Sequence, residues 1–330
     1  MLWEKLHSAE VKCNLCGWRC VIPSGKKGRC MVRENRAGTL HTLVYGRAAS
    51  YAVDPIEKKP LYHFYPGSTA LSVATVGCNF RCAFCDNWSI SQETDIIGED
   101  LPPEGLVLMA KSMGCRSISY TYTEPTIFFE YAYDTARLAH QEGILNTFVT
   151  NGFITPEAVR VLDGYLDAAT VDFKGNGDPE FYKRLCGALS VDPVYDALFA
   201  MKKQGIFLEI TDLIVPGIGD STASFTKLVK WIVENLGDDI PFHILRFFSS
   251  FKYEGPDDVP PNRLAELWEL ASHLGMKHVY LGNVMDERYS NTRCPKCGKV
   301  VIDRVGFSVS SVNLDGNRCA FCGAGLNLRA

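Results

Sequence analysis

The stretch Ala70-Leu71-Ser72-Val73-Ala74-Thr75-Val76-Gly77-Cys78-Asn79-Phe80-Arg81-Cys82-Ala83-Phe84-Cys85 reads as a strand running into a metal-binding loop. Its first seven residues are small, apolar or β-branched, which suits a buried β-strand. Cys78, Cys82 and Cys85 then follow at Cys-x3-Cys-x2-Cys spacing. Three thiolates on one short loop leave one iron of a 4Fe–4S cubane without a protein ligand, whereas a ferredoxin usually supplies a fourth cysteine. An open iron can bind a small molecule and pass it one electron. The same cysteines could instead be part of a zinc site or buried apolar thiols. The preceding strand and the aromatic Phe84 favour the iron–sulfur reading.

Outward from this run, residues 70–290 alternate short β-type stretches with helical patterns. Strands are expected at 71–76, 117–122, 145–150, 168–173, 206–215 and 241–247. Helices are expected near 103–113, 126–141, 155–163, 191–204, 222–236 and 260–274. Parallel neighbours need crossover helices, so six such units predict an α/β fold, a partial (β/α)6 TIM-like barrel. Three blocks follow: a four-cysteine segment at 1–69, the barrel core at 70–290, and a four-cysteine, zinc-ribbon-like module at 291–330.

In a parallel sheet the active site lies beyond the C-terminal strand ends. Those ends carry Tyr120-Thr121-Tyr122-Thr123-Glu124-Pro125, Thr150-Asn151-Gly152 and Asp172-Phe173-Lys174, then Asp212, His243 and Arg246. Each has a bland explanation alone, as a turn, a salt bridge or a structural histidine. Polar residues gathered at one mouth from distant strands are harder to explain by packing. The aromatic run from Tyr120 to Tyr133 reads mostly as core. Phe247, Phe248, Phe251 and Tyr253 are candidates to line a substrate or partner groove.

Eleven of the 13 cysteines fall in three tight sets with metal-ligand spacing, which suits a reducing cytoplasm better than a disulfide framework. Cys294, Cys297, Cys319 and Cys322 form two Cys-x2-Cys-Gly knuckles, a four-thiolate site typical of structural zinc, with a rubredoxin-like iron as the alternative. Cys13, Cys16, Cys20 and Cys30 also supply four thiols. Zinc or another structural metal is favoured there, and an auxiliary iron–sulfur cluster relaying electrons is the alternative. Cys115 and Cys186 read as small buried residues. With 330 residues, 46% hydrophobic, 22% charged and a net charge of −4, the chain has no global basic field, which argues against nucleic-acid binding. The start lacks a signal-peptide core and no 18-residue apolar run occurs, so neither secretion nor a membrane span is expected.

The cysteine run with its flanking aromatic resembles the radical S-adenosylmethionine (SAM) superfamily. Asp172-Phe173-Lys174, Thr150-Asn151-Gly152 and Val215-Pro216-Gly217 are similar to the pyruvate formate-lyase activating enzymes. The stretches Cys13–Cys20, Gly28–Asn35, Val53–Leu61 and Cys85–Trp88 extend the likeness to the activase-like radical SAM protein of the AmmeMemoRadiSam system. The resemblance implies that Cys78, Cys82 and Cys85 hold a catalytic 4Fe–4S cluster and that Phe84 flanks the adenine. It implies that Thr123 and Glu124 receive the SAM amine, where Tyr122 and Thr123 replace a family Gly-Gly. It also implies that Asn151, Asp172 and Lys174 contact SAM. SAM is a zwitterion, so Glu124 and Asp172 suit its amine, and Lys174 or Arg246 its carboxylate. The implied activity is that of an oxidoreductase: reductive SAM cleavage to a 5′-deoxyadenosyl radical, then hydrogen abstraction, with a protein substrate as in glycyl-radical activation. A flavodoxin or ferredoxin would be the electron donor, and the other two proteins of the AmmeMemoRadiSam system the partners. SAM-dependent RNA modification and a non-catalytic metal-binding adaptor are the competing readings.

Overall fold

A computed structural model describes every main-chain position from 1 to 330 and every side chain but that of Pro261. Eight strands form the central sheet: β1 (Ser50–Pro55), β2 (Thr69–Ala74), β3 (Ser117–Tyr120), β4 (Leu145–Thr150), β5 (Ala168–Lys174), β6 (Phe207–Ile214), β7 (Phe242–Arg246) and β8 (Val279–Gly282). They lie side by side in chain order, β1 antiparallel to β2 and every later pair parallel. The six expected strands are β2 to β7. The two further strands carry little sequence signal. Among the residues of β1 only Asp54 is buried, so main-chain pairing to β2 holds it in place. β8 is only four residues long.

Six helices cover the sheet: α1 (Pro103–Ser112), α2 (Phe129–Gln141), α3 (Pro156–Val161), α4 (Asp192–Lys203), α5 (Thr222–Asn235) and α6 (Pro261–His273). In α4 the buried Val194, Ala197, Leu198 and Met201 recur at helical spacing and form the sheet-facing stripe. Thr155 caps α3 by accepting from the Ala158 N–H at 3.2 Å, with Pro156 at the first helical position. No helix among the described residues is long and apolar enough to cross a membrane.

Strand β1 brings part of the segment 1–69 into the barrel sheet itself. Val11, Cys13, Leu15, Ile22, Cys30 and Val32 also belong to the same apolar core as the barrel. The C-terminal module has its own small core around Val301, Ile302, Leu326 and Leu328. It is fastened by Arg304, which is fully buried and donates to the Tyr62 carbonyl at 2.6 Å and to Thr292 Oγ1 at 2.8 Å. The Arg304 guanidinium also stands 3.5 Å from the buried Glu57.

Candidate active site

Cys78, Cys82 and Cys85 follow β2 at the C-terminal edge of the parallel strands. Gly77 sets the loop's entry with φ of +90°. A Cβ there would stand 2.7 Å from Val32 Cγ1 and 2.9 Å from the Cys30 carbonyl oxygen, so only glycine fits. The Phe80 N–H donates to Cys78 Sγ at 3.4 Å, and Cys85 Sγ meets Ser91 Oγ at 3.2 Å. Burial, the Glu124 charge and the neighbouring thiols hold the Cys78 thiol well above its ordinary range. The adjacent Cys186 thiol and burial do the same to Cys82. Such thiols become thiolates only when a metal supplies the compensating charge.

A cavity of about 890 Å³ opens at this edge, and all nine residues expected at the cluster and SAM site line it: Cys78, Cys82, Phe84, Cys85, Thr123, Glu124, Asn151, Asp172 and Lys174. They come from the ends of β2, β3, β4 and β5. The donor set facing the cavity is three thiols. Cys186, passed over in the sequence as a small buried residue, adjoins Cys82 but takes no part in the cavity wall. A cluster with one open iron fits that donor set.

Glu124 is the knot of the site. Its Oε1 accepts from the Thr126 N–H at 3.0 Å, Thr126 Oγ1 at 2.5 Å and Thr150 Oγ1 at 2.8 Å. Its Oε2 accepts from the Asn151 N–H at 2.8 Å. It thereby ties the end of β3 to the end of β4 and keeps lone pairs on Oε2 for a ligand. Burial outweighs these bonds and raises its carboxyl above the usual range. Asn151 Nδ2 in turn donates to Asn79 Oδ1 at 2.7 Å.

Two-residue alternation puts Asp172 and Lys174 on one face of β5, with Phe173 buried on the other. Lys174 Nζ lies 3.7 Å from Asp172 Oδ2, and Asp172 accepts from the Thr211 hydroxyl. Burial alone would lower Lys174, but the charge of Asp172, and of the neighbouring cysteines when they are thiolates, outweighs it and keeps the ammonium charged. Arg246, the other candidate for a SAM carboxylate, is instead paired with Asp258 and stacked on Phe248. His243 is bonded to the buried Glu209 at 2.7 Å, and Glu209 also accepts from the Tyr62 and His63 N–H groups. That histidine is a buried anchor for the 62–63 loop.

Where the family motif has glycine, Tyr122 takes φ of +62°, the left-handed region that favours glycine. Its side chain offsets that strain: Tyr122 Oη donates to Asp54 at 2.5 Å, and the Lys59 ammonium sits 4.5 Å from the ring centre. Lys58 and Lys59 bond the same carboxylate at 2.8 and 2.6 Å. The contacts of Tyr122 cross from the loop after β3 to β1 and the Lys59 segment, so the sequence carried no sign of them. The wall also includes Val305, Gly306 and Phe307 of the C-terminal module.

Away from this cavity, Cys294, Cys297, Cys319 and Cys322 gather their sulfurs within 4.8 Å of one another. The Cys294–Cys322 and Cys297–Cys319 separations are 3.6 and 3.8 Å. A tetrahedron of Zn–S bonds of about 2.3 Å puts sulfurs about 3.8 Å apart, so this set fits a single ion. Burial raises the Cys294 thiol, but the Cys297 and Lys296 N–H groups and the neighbouring thiols bring it to about 7. Cys13, Cys16, Cys20 and Cys30 line a separate internal void.

A sequence model described as the Radical SAM superfamily matches residues 72–232. The uncharacterized protein MJ0808 of Methanocaldococcus jannaschii is 41% identical to the chain, over 99% of this chain and 98% of that protein. Streptococcus suis SuiB bound to S-adenosylmethionine aligns with a TM-score of 0.50 at 17% identity, over 69% of this chain and 53% of SuiB. A domain of pyruvate-formate lyase-activating enzyme from Bacteroides vulgatus aligns with a TM-score of 0.45 at 11% identity, over 51% of this chain and 99% of that domain. With its cysteine loop at the mouth of a parallel barrel, the chain belongs to the radical SAM superfamily.

Proposed function

We propose that the protein is a radical SAM oxidoreductase of the activating-enzyme type, acting on a partner protein. The observation that carries the reading is the single cavity where three thiols meet the acids and the cation that a SAM zwitterion needs. In this reading Cys78, Cys82 and Cys85 hold a 4Fe–4S cluster, which when bound supplies one electron to split SAM into methionine and a 5′-deoxyadenosyl radical. The chain's own residues bind and orient. Glu124, braced by Thr126, Thr150 and Asn151, accepts the SAM amine beside the Thr123 main chain. Lys174 faces the carboxylate, with Asp172 keeping its charge and position. Phe84, packed 5.6 Å from Phe181 and 6.1 Å from Phe247, offers a rigid apolar wall to the adenine. The cavity is larger than one SAM requires, and its outer rim carries the exposed Phe248 and Phe307. That rim supports a glycine or side chain of a protein as hydrogen donor. A flavodoxin or ferredoxin is the proposed reductant, and the companion proteins of the AmmeMemoRadiSam system are the proposed partners.

Reduced, anaerobic protein given SAM should release 5′-deoxyadenosine and methionine, and Cys82→Ala should release neither. Equal release from that variant would eliminate the proposal.

A further inference from the structure

Four thiols that converge on a point and four that surround a space call for different metals. At the C-terminal set the sulfurs close to 3.6–3.8 Å. Among the described residues no other set of metal-donor side chains closes as tightly. Cys13, Cys16, Cys20 and Cys30 instead line one void in which the centre of a water-sized sphere can roam over about 20 Å³. A zinc ion leaves no such room, because its thiolates must close to about 3.8 Å. A cubane needs it, since four irons and four sulfides stand between the cysteine sulfurs.

The walls fit a cluster as well. Leu15, Ile22 and Ile127 keep water out. Arg33 lines the void, its side chain only 4% exposed and held by Glu130 at 2.5 and 2.7 Å. Its Nε–H is buried and has no partner among the described residues. An unspent donor from a cation beside four thiols is suited to a sulfide or thiolate acceptor.

The void backs directly onto the central cavity. Thr126 and Ile127 line the void, while Glu124, two residues earlier, lines the cavity. The Cys30 carbonyl packs on Gly77, the residue before Cys78, and Trp18 Nε1 donates to the Asn79 carbonyl at 2.8 Å. The two cysteine loops are therefore in direct contact. Cys16 and Cys20 are only half-buried, which gives an external carrier an edge to approach.

We infer that Cys13, Cys16, Cys20 and Cys30 hold a second 4Fe–4S cluster, capped by thiolate at every iron, which relays electrons to the Cys78–Cys82–Cys85 site. A low-potential one-electron carrier protein is oxidised by one electron, the second cluster is reduced and then reoxidised, and no bond forms or breaks. The cluster stands independently of the proposed function; the relay rests on it.

Metal counting on anaerobically reconstituted protein decides the first part. The triple variant Cys78→Ala, Cys82→Ala, Cys85→Ala should keep about four irons and four sulfides of the wild type's eight. It should keep about one zinc, and its reduced paramagnetic signal should ignore SAM. Iron near zero with about two zincs per chain would overturn the cluster. For the relay, Cys16→Ser with Cys30→Ser should lower 5′-deoxyadenosine release about tenfold with a reduced flavodoxin while leaving it unchanged with dithionite. Equal release from both reductants, with iron halved, would overturn the relay. A wild type that releases none with dithionite would sink the radical reading without touching the metal counts.

Discussion

Glu124→Gln keeps the shape of the side chain and turns one acceptor into a donor. The least costly orientation leaves the amide carbonyl facing Thr126 and Thr150, three donors in all, and turns the NH2 toward the Asn151 N–H. One charge-assisted bond is lost, about 1.5–3 kcal/mol, and a buried N–H is left unpaired. Burial works the other way, because a neutral amide escapes the desolvation that raises the Glu124 carboxyl. The net is a destabilisation of about 2 kcal/mol, or about 3 °C in Tm for a chain of this length. SAM should lose a carboxylate opposite its ammonium, again about 1.5–3 kcal/mol, so its Kd should rise by about 10- to 150-fold. Calorimetric unfolding and equilibrium dialysis of SAM on anaerobic protein read the two effects separately. Unchanged Tm would refute the brace between β3 and β4, and unchanged affinity would refute the amine contact.

Asp212 is fully buried, accepts from the Asn176 N–H at 2.9 Å, and is pushed by burial to about 7. Between about pH 4 and 7 the folded chain then holds a proton that the unfolded chain releases, so stability falls as pH rises, by up to about 4 kcal/mol. Urea unfolding at pH 5 and pH 8 should show about 3 kcal/mol of that loss, and Asp212→Asn should flatten it; the same slope in both proteins would count against the assignment. Arg304→Met strands the buried Glu57 and should cost about 3–5 kcal/mol, largely recovered when Glu57→Gln is added. An additive double variant in denaturant titrations would show that the two do not interact. Gly77→Ala forces a Cβ to 2.7 Å from Val32 and should lower iron bound at the Cys78 loop while leaving zinc at the C-terminal set intact. Wild-type iron content would show that the loop tolerates the side chain.

Local chemistry was legible in the residues alone. Cysteine spacing within one loop is set by a few consecutive dihedrals, so the Cys78–Cys85 run and each Cys-x2-Cys knuckle of the Cys294–Cys322 set mark candidate ligands without the rest of the chain. Hydrophobic pattern and caps likewise placed β2 to β7 and α1 to α6 near their observed bounds, because each helix must bury one face and each parallel strand is buried on both. Distances between segments remote in the chain were decided only by tertiary structure. The exposed strand β1 joins by main-chain bonds that leave no side-chain pattern. The left-handed Tyr122 is tied by Asp54 from 68 positions away, and Cys186 comes beside Cys82. Which four thiols close on one point and which line a void depends on how whole loops pack, and spacing along the chain carries no measure of that.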